Sequence, residues 1–169
     1  MAAIMESDSE TITFEFYSKK QSSLYQIEFD ARIDLDSDNK FGNILDNFYC
    51  MTLVKSSSMI SSEMHESINV NTECDEVASE IAAIIDRFYS EEPSACVFFI
   101  IDKEDNKDKA RERLFSKWYD MNGNKSNYFY EVYPIENVTV GEEDRIGVII
   151  PQSKNLDIIL DAFLLSFTF

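Results

Sequence analysis

Apolar residues occupy every second position in two short stretches near the start of the chain, 12–16 and 25–29. Alternation with a period of two is typical of strands that bury one face and expose the other. The segment 18–23 between them is polar and short enough for a hairpin connection. The pattern therefore predicts two antiparallel strands that lie side by side in a sheet.

Four later segments also have the character of strands: 48–54, 97–101, 128–133 and 146–150. The second of these, with the sequence VFFII, is apolar at every position, which is typical of a strand covered on both faces. We expect it to be central in the sheet. The last two segments are separated by an acidic connection at 142–144, and they are predicted to form a second hairpin.

Helical spacing of apolar residues marks three further segments. In 77–88 the apolar residues recur at three- and four-residue steps, and Pro93 then forbids continuation of the helix. The segment 110–118 repeats apolar residues at four-residue steps. The last segment, 156–167, is apolar over a broad face, and Ser153 can cap its start.

Together these elements predict an α+β fold, a single mixed, mostly antiparallel sheet of about six strands covered by about three helices. The length of 169 residues suits one domain that spans 1–169. Residues 1–10 are expected to be flexible. The Ser-rich segment 56–71 is expected to be a mobile connection.

The chain carries 32 acidic residues against 15 basic residues, which gives a formal net charge of −17. Such a field repels nucleic acids and anionic membranes, whereas it attracts a basic protein partner, although acidity can also serve solubility alone. The apolar run 158–169 is shorter than the ~20 residues that span a bilayer. Three cysteines without paired spacing suit a reducing compartment, so the predicted location is the cytoplasm.

Residue types that usually carry catalysis or bind cofactors are sparse and scattered along the sequence. The one histidine, His65, lies in the Ser-rich segment, and the four glycines lack a phosphate-binding spacing. The acidic stretch 34–39 fits a calcium loop poorly because Gly42 and the missing terminal Glu break the pattern. Cys74 is surrounded by acidic neighbours, which favour an inert thiol. The sequence therefore predicts no catalytic residue, no metal and no cofactor.

The segment Lys103–Lys125 differs in charge from the rest of this acidic chain, because it holds seven of the fifteen basic residues. On a helix, Lys109, Arg113 and Lys117 share one face at four-residue steps. One interpretation is an ordinary solvated helix, in which interleaved acidic residues pair with these cations.

The other interpretation is an anion-binding group formed by Asp102, Arg111 and Arg113 at the end of the central strand. Guanidinium groups bind phosphate and carboxylate through two parallel hydrogen bonds. Open sheets often bind ligands at the ends of their strands. The sequence leaves both interpretations open.

The stretch VFFIIDKEDNKDKARERLFSKWY joins the predicted central strand, which ends at Asp102, to a helix with the pattern ARxRxFxxW. It resembles a small uncharacterised family of bacterial domains found mainly in Bacteroidetes, and the resemblance extends over 72–169. The resemblance implies a fold unit and a bacterial source. It implies no biochemical role for any residue.

Two functional hypotheses follow from these observations. The first is a non-catalytic interaction or accessory module, of the immunity or antitoxin type, that masks a basic partner protein. The second is a small-anion-binding or enzymatic domain that uses Asp102, Arg111 and Arg113. Binding of nucleic acid through the basic helix ranks last, because the remaining charge opposes it.

Overall fold

A computed structural model of the protein describes residues 3–7, 10–20, 22–32, 35–36, 38–57, 74–101, 108–121, 127–136, 143–152 and 155–166. These residues form seven strands and three helices, in the order β1 (Ala3–Ser7), β2 (Thr11–Ser18), β3 (Ser23–Asp30), β4 (Phe48–Ser57), α1 (Cys74–Glu91), β5 (Cys96–Ile101), α2 (Asp108–Met121), β6 (Tyr128–Glu136), β7 (Glu143–Pro151) and α3 (Leu156–Ser166).

The described strands form one mixed sheet in the order β1-β2-β3-β4-β5-β7-β6. All neighbouring strands are antiparallel except β4 and β5, which run parallel over the three pairs from Phe48–Cys96 to Cys50–Phe98. The predicted α+β class is confirmed. Both predicted hairpins, β2–β3 and β6–β7, are confirmed as antiparallel pairs.

The sheet contains one strand that was not predicted. Residues 1–10, which were expected to be flexible, include β1, an edge strand that pairs with β2. Strand β4 runs to Ser57 and so includes the first two residues of the predicted connection 56–71. The rest of that connection, with His65, lies outside the described residues.

Helices α1 and α2 cover one face of the sheet. The alternating pattern of β2 and β3 places Phe14 and Phe29 on this face, and both are fully buried. Phe88 of α1 stacks on Phe29 with ring centroids 4.0 Å apart. Phe115 of α2 packs on Phe99 of β5 at 4.2 Å. These contacts hold both helices on the sheet.

Helix α3 covers the other face through Phe163. This ring stacks on Phe48 of β4 at 4.8 Å and lies 5.4 Å from Phe98 of β5. Strand β5 therefore packs against both layers, as predicted for a central strand. Ile100 is the exception in this strand, because it is 51% exposed.

Candidate functional site

A depression of about 550 Å³ lies on the surface between α2 and the first residues of β7. We call it the cationic depression. Seven of the described residues line it: Lys109, Glu112, Arg113, Ser116, Lys117, Asp120 and Arg145.

Three of its four cations come from one row of α2. Lys109, Arg113 and Lys117 follow each other at four-residue steps, and all three are exposed. The face predicted from their spacing is therefore confirmed. Phe115, a buried residue of the same helix, holds it against the sheet, so that this row faces outward.

The fourth cation, Arg145, reaches the depression from β7. Its guanidinium forms an ion pair with Glu112 of α2. The side chains are only 22% and 31% exposed, so this pair is screened less by water than an ordinary surface pair. The ion pair ties the helix to the strand and fixes one wall of the depression.

A layer of aromatic residues supports α2 below the depression. The hydroxyl oxygens of Ser116 and Tyr130 are 3.4 Å apart, and the Tyr119 and Tyr130 rings are 5.1 Å apart. Tyr119 also donates a hydrogen bond of 2.8 Å to the carbonyl oxygen of Tyr128. Burial raises the pKa of the Tyr130 hydroxyl, which therefore remains protonated at neutral pH.

The charge of the depression is opposite in sign to that of the whole molecule. Among the described lining residues, four cationic side chains face two carboxylates, a formal excess of two positive charges on a chain of net charge −17. Within the described part of the chain, neither Lys109 nor Arg113 forms an ion pair. Their charges are available to a compact anion.

The predicted trio of Asp102, Arg111 and Arg113 is described only in part. Arg113 lines the depression, and Asp102 lies outside the described residues. Arg111 belongs to α2, but positions two residues apart lie about 200° apart around a helix. The helix therefore places positions 111 and 113 on different faces, and a site that joins all three residues stays a prediction.

Sequence reasoning missed Arg145 as a site residue. Its one visible signal is a cation directly before the predicted strand 146–150. Pairing of Arg145 with Ile101 of β5 across the sheet brings it towards α2, and this pairing depends on strand order.

Helix length and metal-ligand geometry give two further findings. Over the described ranges, no helix is both long and apolar enough to cross a membrane. In the same part of the chain, no three or more His, Cys, Asp or Glu residues lie together as a metal site would require.

The fold and the site define an α+β domain with a cationic depression on an acidic surface. Residues 73–164 match the family of unknown function DUF6169, and the chain belongs to that family. The match includes the whole cationic depression. No curated protein and no solved structure matches the chain. The bacterial source implied by the sequence resemblance stays a prediction.

Proposed function

We propose that this protein is a non-catalytic binding domain that holds a doubly negative oxyanion, typified by a phosphate group, in the cationic depression. The observation that carries the proposal is the excess of two positive charges among the described lining residues, on a chain of net charge −17. A dianion would neutralise this excess.

The spacing of the cations supports a compact ligand. Each step of four residues advances about 6 Å along a helix, so a phosphate group near Arg113 lies within reach of the flanking lysines. Arg113 can offer two parallel N–H donors, and the hydroxyl of Ser116 one turn further on can add another.

The rest of the surface favours a small anion over a polyanion. A single phosphate group would contact the depression alone, whereas a nucleic acid would extend over acidic surface and be repelled. The proposal therefore concerns a phosphate monoester or free phosphate. The two sources share the same chemistry.

The test is a titration with inorganic phosphate at constant ionic strength, followed by thermal unfolding and by calorimetry. Phosphate should raise the melting temperature more than chloride does, since a ligand present at about 100 times its Kd stabilises by about 2.7 kcal/mol. A parallel titration with O-phosphoserine separates the two sources. Tighter binding of O-phosphoserine identifies a monoester, and tighter binding of inorganic phosphate identifies the free ion.

The matched variants are two double substitutions with the same charge change. Lys109→Gln/Arg113→Gln removes two exposed cations of the depression, and Lys19→Gln/Lys40→Gln removes two exposed cations elsewhere. The first should weaken phosphate binding at least tenfold, and the second should leave it within twofold. Equal effects of phosphate and chloride, or equal losses in both variants, would refute the proposal.

A second candidate function comes from the predicted accessory role with a basic partner protein. It is favoured by two exposed aliphatic side chains on α3, Ile158 and Leu165.

A further inference from the structure

Helix α3 exposes two aliphatic side chains on the side away from the sheet. Ile158 is 52% exposed and Leu165 is 57% exposed. Residues seven positions apart lie on one line of a helix, about 10 Å apart along its axis. Phe163, on the opposite side, is fully buried. We call the exposed pair the outer stripe.

The inner side of the same helix is also apolar. Ala162 and Phe163 are buried, and four further residues are partly buried against the same cluster, Leu156, Ile159, Leu160 and Leu164. A helix that is apolar on both sides is normally covered on both sides. One exposed aliphatic residue is common on any surface, but two in one line, two turns apart, match the spacing of a helix-docking face.

The rim of the outer stripe is acidic. Asp157 and Asp161 are exposed, and Asp161 lies along the axis between Ile158 and Leu165. The helix segment LDIILDAFLLS contains no lysine or arginine. A complementary surface must therefore combine apolar side chains with positive charge.

We propose that the outer stripe docks a basic amphipathic helix of a partner protein. Apolar residues of the partner at positions i and i+7 would contact Ile158 and Leu165, and its lysines or arginines would face Asp157 and Asp161. A second copy of this chain would bring two acidic rims together on molecules of net charge −17. An anionic membrane would meet the same repulsion.

This surface is independent of the cationic depression. The stripe lies on the helix that packs over Phe48 and Phe98, whereas the depression lies on α2, which packs over Phe99 from the other side of the sheet. The outer stripe thus has a role separate from phosphate binding, as a docking surface for the basic partner predicted from the charge.

The test uses a labelled synthetic peptide of about 18 residues, or five helical turns. The peptide carries leucines along one helical face and lysines on the rest, and binding to the full chain is followed by fluorescence anisotropy. Two control peptides accompany it. One has the same composition in an order that destroys the amphipathic face, and the other has glutamate in place of lysine.

The double variant Ile158→Ser/Leu165→Ser should lower the affinity for the amphipathic peptide at least tenfold. The matched control Ile44→Ser changes another exposed isoleucine, 38% exposed, and should leave the affinity within twofold. Asp157→Asn/Asp161→Asn should weaken binding and reduce its dependence on salt. Lys109→Gln/Arg113→Gln should bind the peptide like the wild type, which separates this proposal from that for phosphate.

Three results would overturn the inference. The first is equal binding of the amphipathic peptide and its reordered control, because charge alone would then explain the affinity. The second is wild-type affinity in Ile158→Ser/Leu165→Ser. The third is concentration-dependent self-association of the wild type, seen by analytical ultracentrifugation and lost in the same variant, because the occupant would then be a second copy.

Discussion

The buried hydroxyl of Tyr89 on α1 donates a hydrogen bond to the carbonyl oxygen of Ile149 on β7. The same hydroxyl accepts a hydrogen bond of 3.1 Å from the N–H of Val97 on β5. Val97 and Ile149 are partners across the sheet. One side chain thus joins the longest helix to two neighbouring strands, and burial raises its pKa well above the ordinary value.

Replacing Tyr89 with phenylalanine should reduce the free energy of unfolding by about 2 kcal/mol, because a buried N–H and a buried carbonyl lose a hydrogen-bond partner. Urea denaturation followed by circular dichroism measures the change. Tyr17→Phe is the control, since Tyr17 is 50% exposed and should change the stability by less than about 0.5 kcal/mol. Equal effects of the two substitutions would contradict the assigned role of the hydroxyl.

Gly147 on β7 should not tolerate alanine. It lies opposite Phe99, and an added Cβ would overlap the Phe99 ring, which is itself packed on Phe115. We expect Gly147→Ala to destabilise the protein by about 1–3 kcal/mol through overpacking. The double variant Phe99→Leu/Gly147→Ala should be more stable than the sum of the single effects predicts. If the free-energy changes of the two single variants, measured by urea denaturation, simply add up in the double variant, the overlap of the added Cβ with the Phe99 ring is excluded.

Cys50 should react slowly with alkylating agents at neutral pH. Burial, aided by the charges of Asp30 and Glu28, raises the pKa of its thiol to about 11. The reactive thiolate is therefore about 100-fold scarcer than for an ordinary thiol. Mass spectrometry of the Cys50 peptide after iodoacetamide treatment from pH 7 to 11 measures the rate, with urea-unfolded protein as the control. Equal rates at pH 7.5 would contradict the shift.

The same shift predicts the sign of a pH effect on stability. The folded-state pKa of Cys50 lies above the ordinary thiol value of 9.0, so its contribution to stability is fully present below pH 9. That contribution is lost as the pH rises through about 11. Cys50→Ala should accordingly flatten the decline of the free energy of unfolding over this range.

The ion pair between Glu112 and Arg145 should stabilise the packing of α2 against β7. A double-mutant cycle with Glu112→Gln and Arg145→Gln should give a coupling energy of about 1 kcal/mol. The control cycle on Arg87 and Glu91, a pair at 3.3 Å with side chains 45% and 40% exposed, should give about 0.4 kcal/mol. A smaller coupling energy in the first cycle than in the second would show that the pair Glu112–Arg145 does not stabilise the packing of α2 against β7.

Local patterns in the sequence predicted most individual elements. The alternation at 12–16 predicted β2, and the unbroken run at 97–101 predicted β5, because each pattern follows from which faces the strand buries. Strand β1 was missed, since its short segment has no such pattern. The exposure of Ile100 was missed for another reason. Whether a helix covers the end of a strand depends on the position of an element that is distant in the sequence.

Only some of the residues of the candidate site could be predicted from the sequence. The row that includes Lys109 and Arg113 follows from helix periodicity within one element. Arg145 joins that row because β7, rather than β6, lies beside β5, and strand order is a long-range property. Site residues on one helix can be predicted from their spacing in the sequence, whereas a residue that a separate strand contributes, such as Arg145, cannot.

The parallel junction of β4 and β5 is the narrowest point in the hydrogen bonding of the sheet, with three residue pairs against five between β5 and β7. Helix α1 spans this junction, because Phe88 contacts Phe29 and Tyr49 on one side while Tyr89 bonds to strands on the other. The family match begins at residue 73, just before this helix. A protein that contained only the matched region would lack Phe29 and Tyr49, and Phe88 would face water. Other apolar residues would then have to cover that side of the helix.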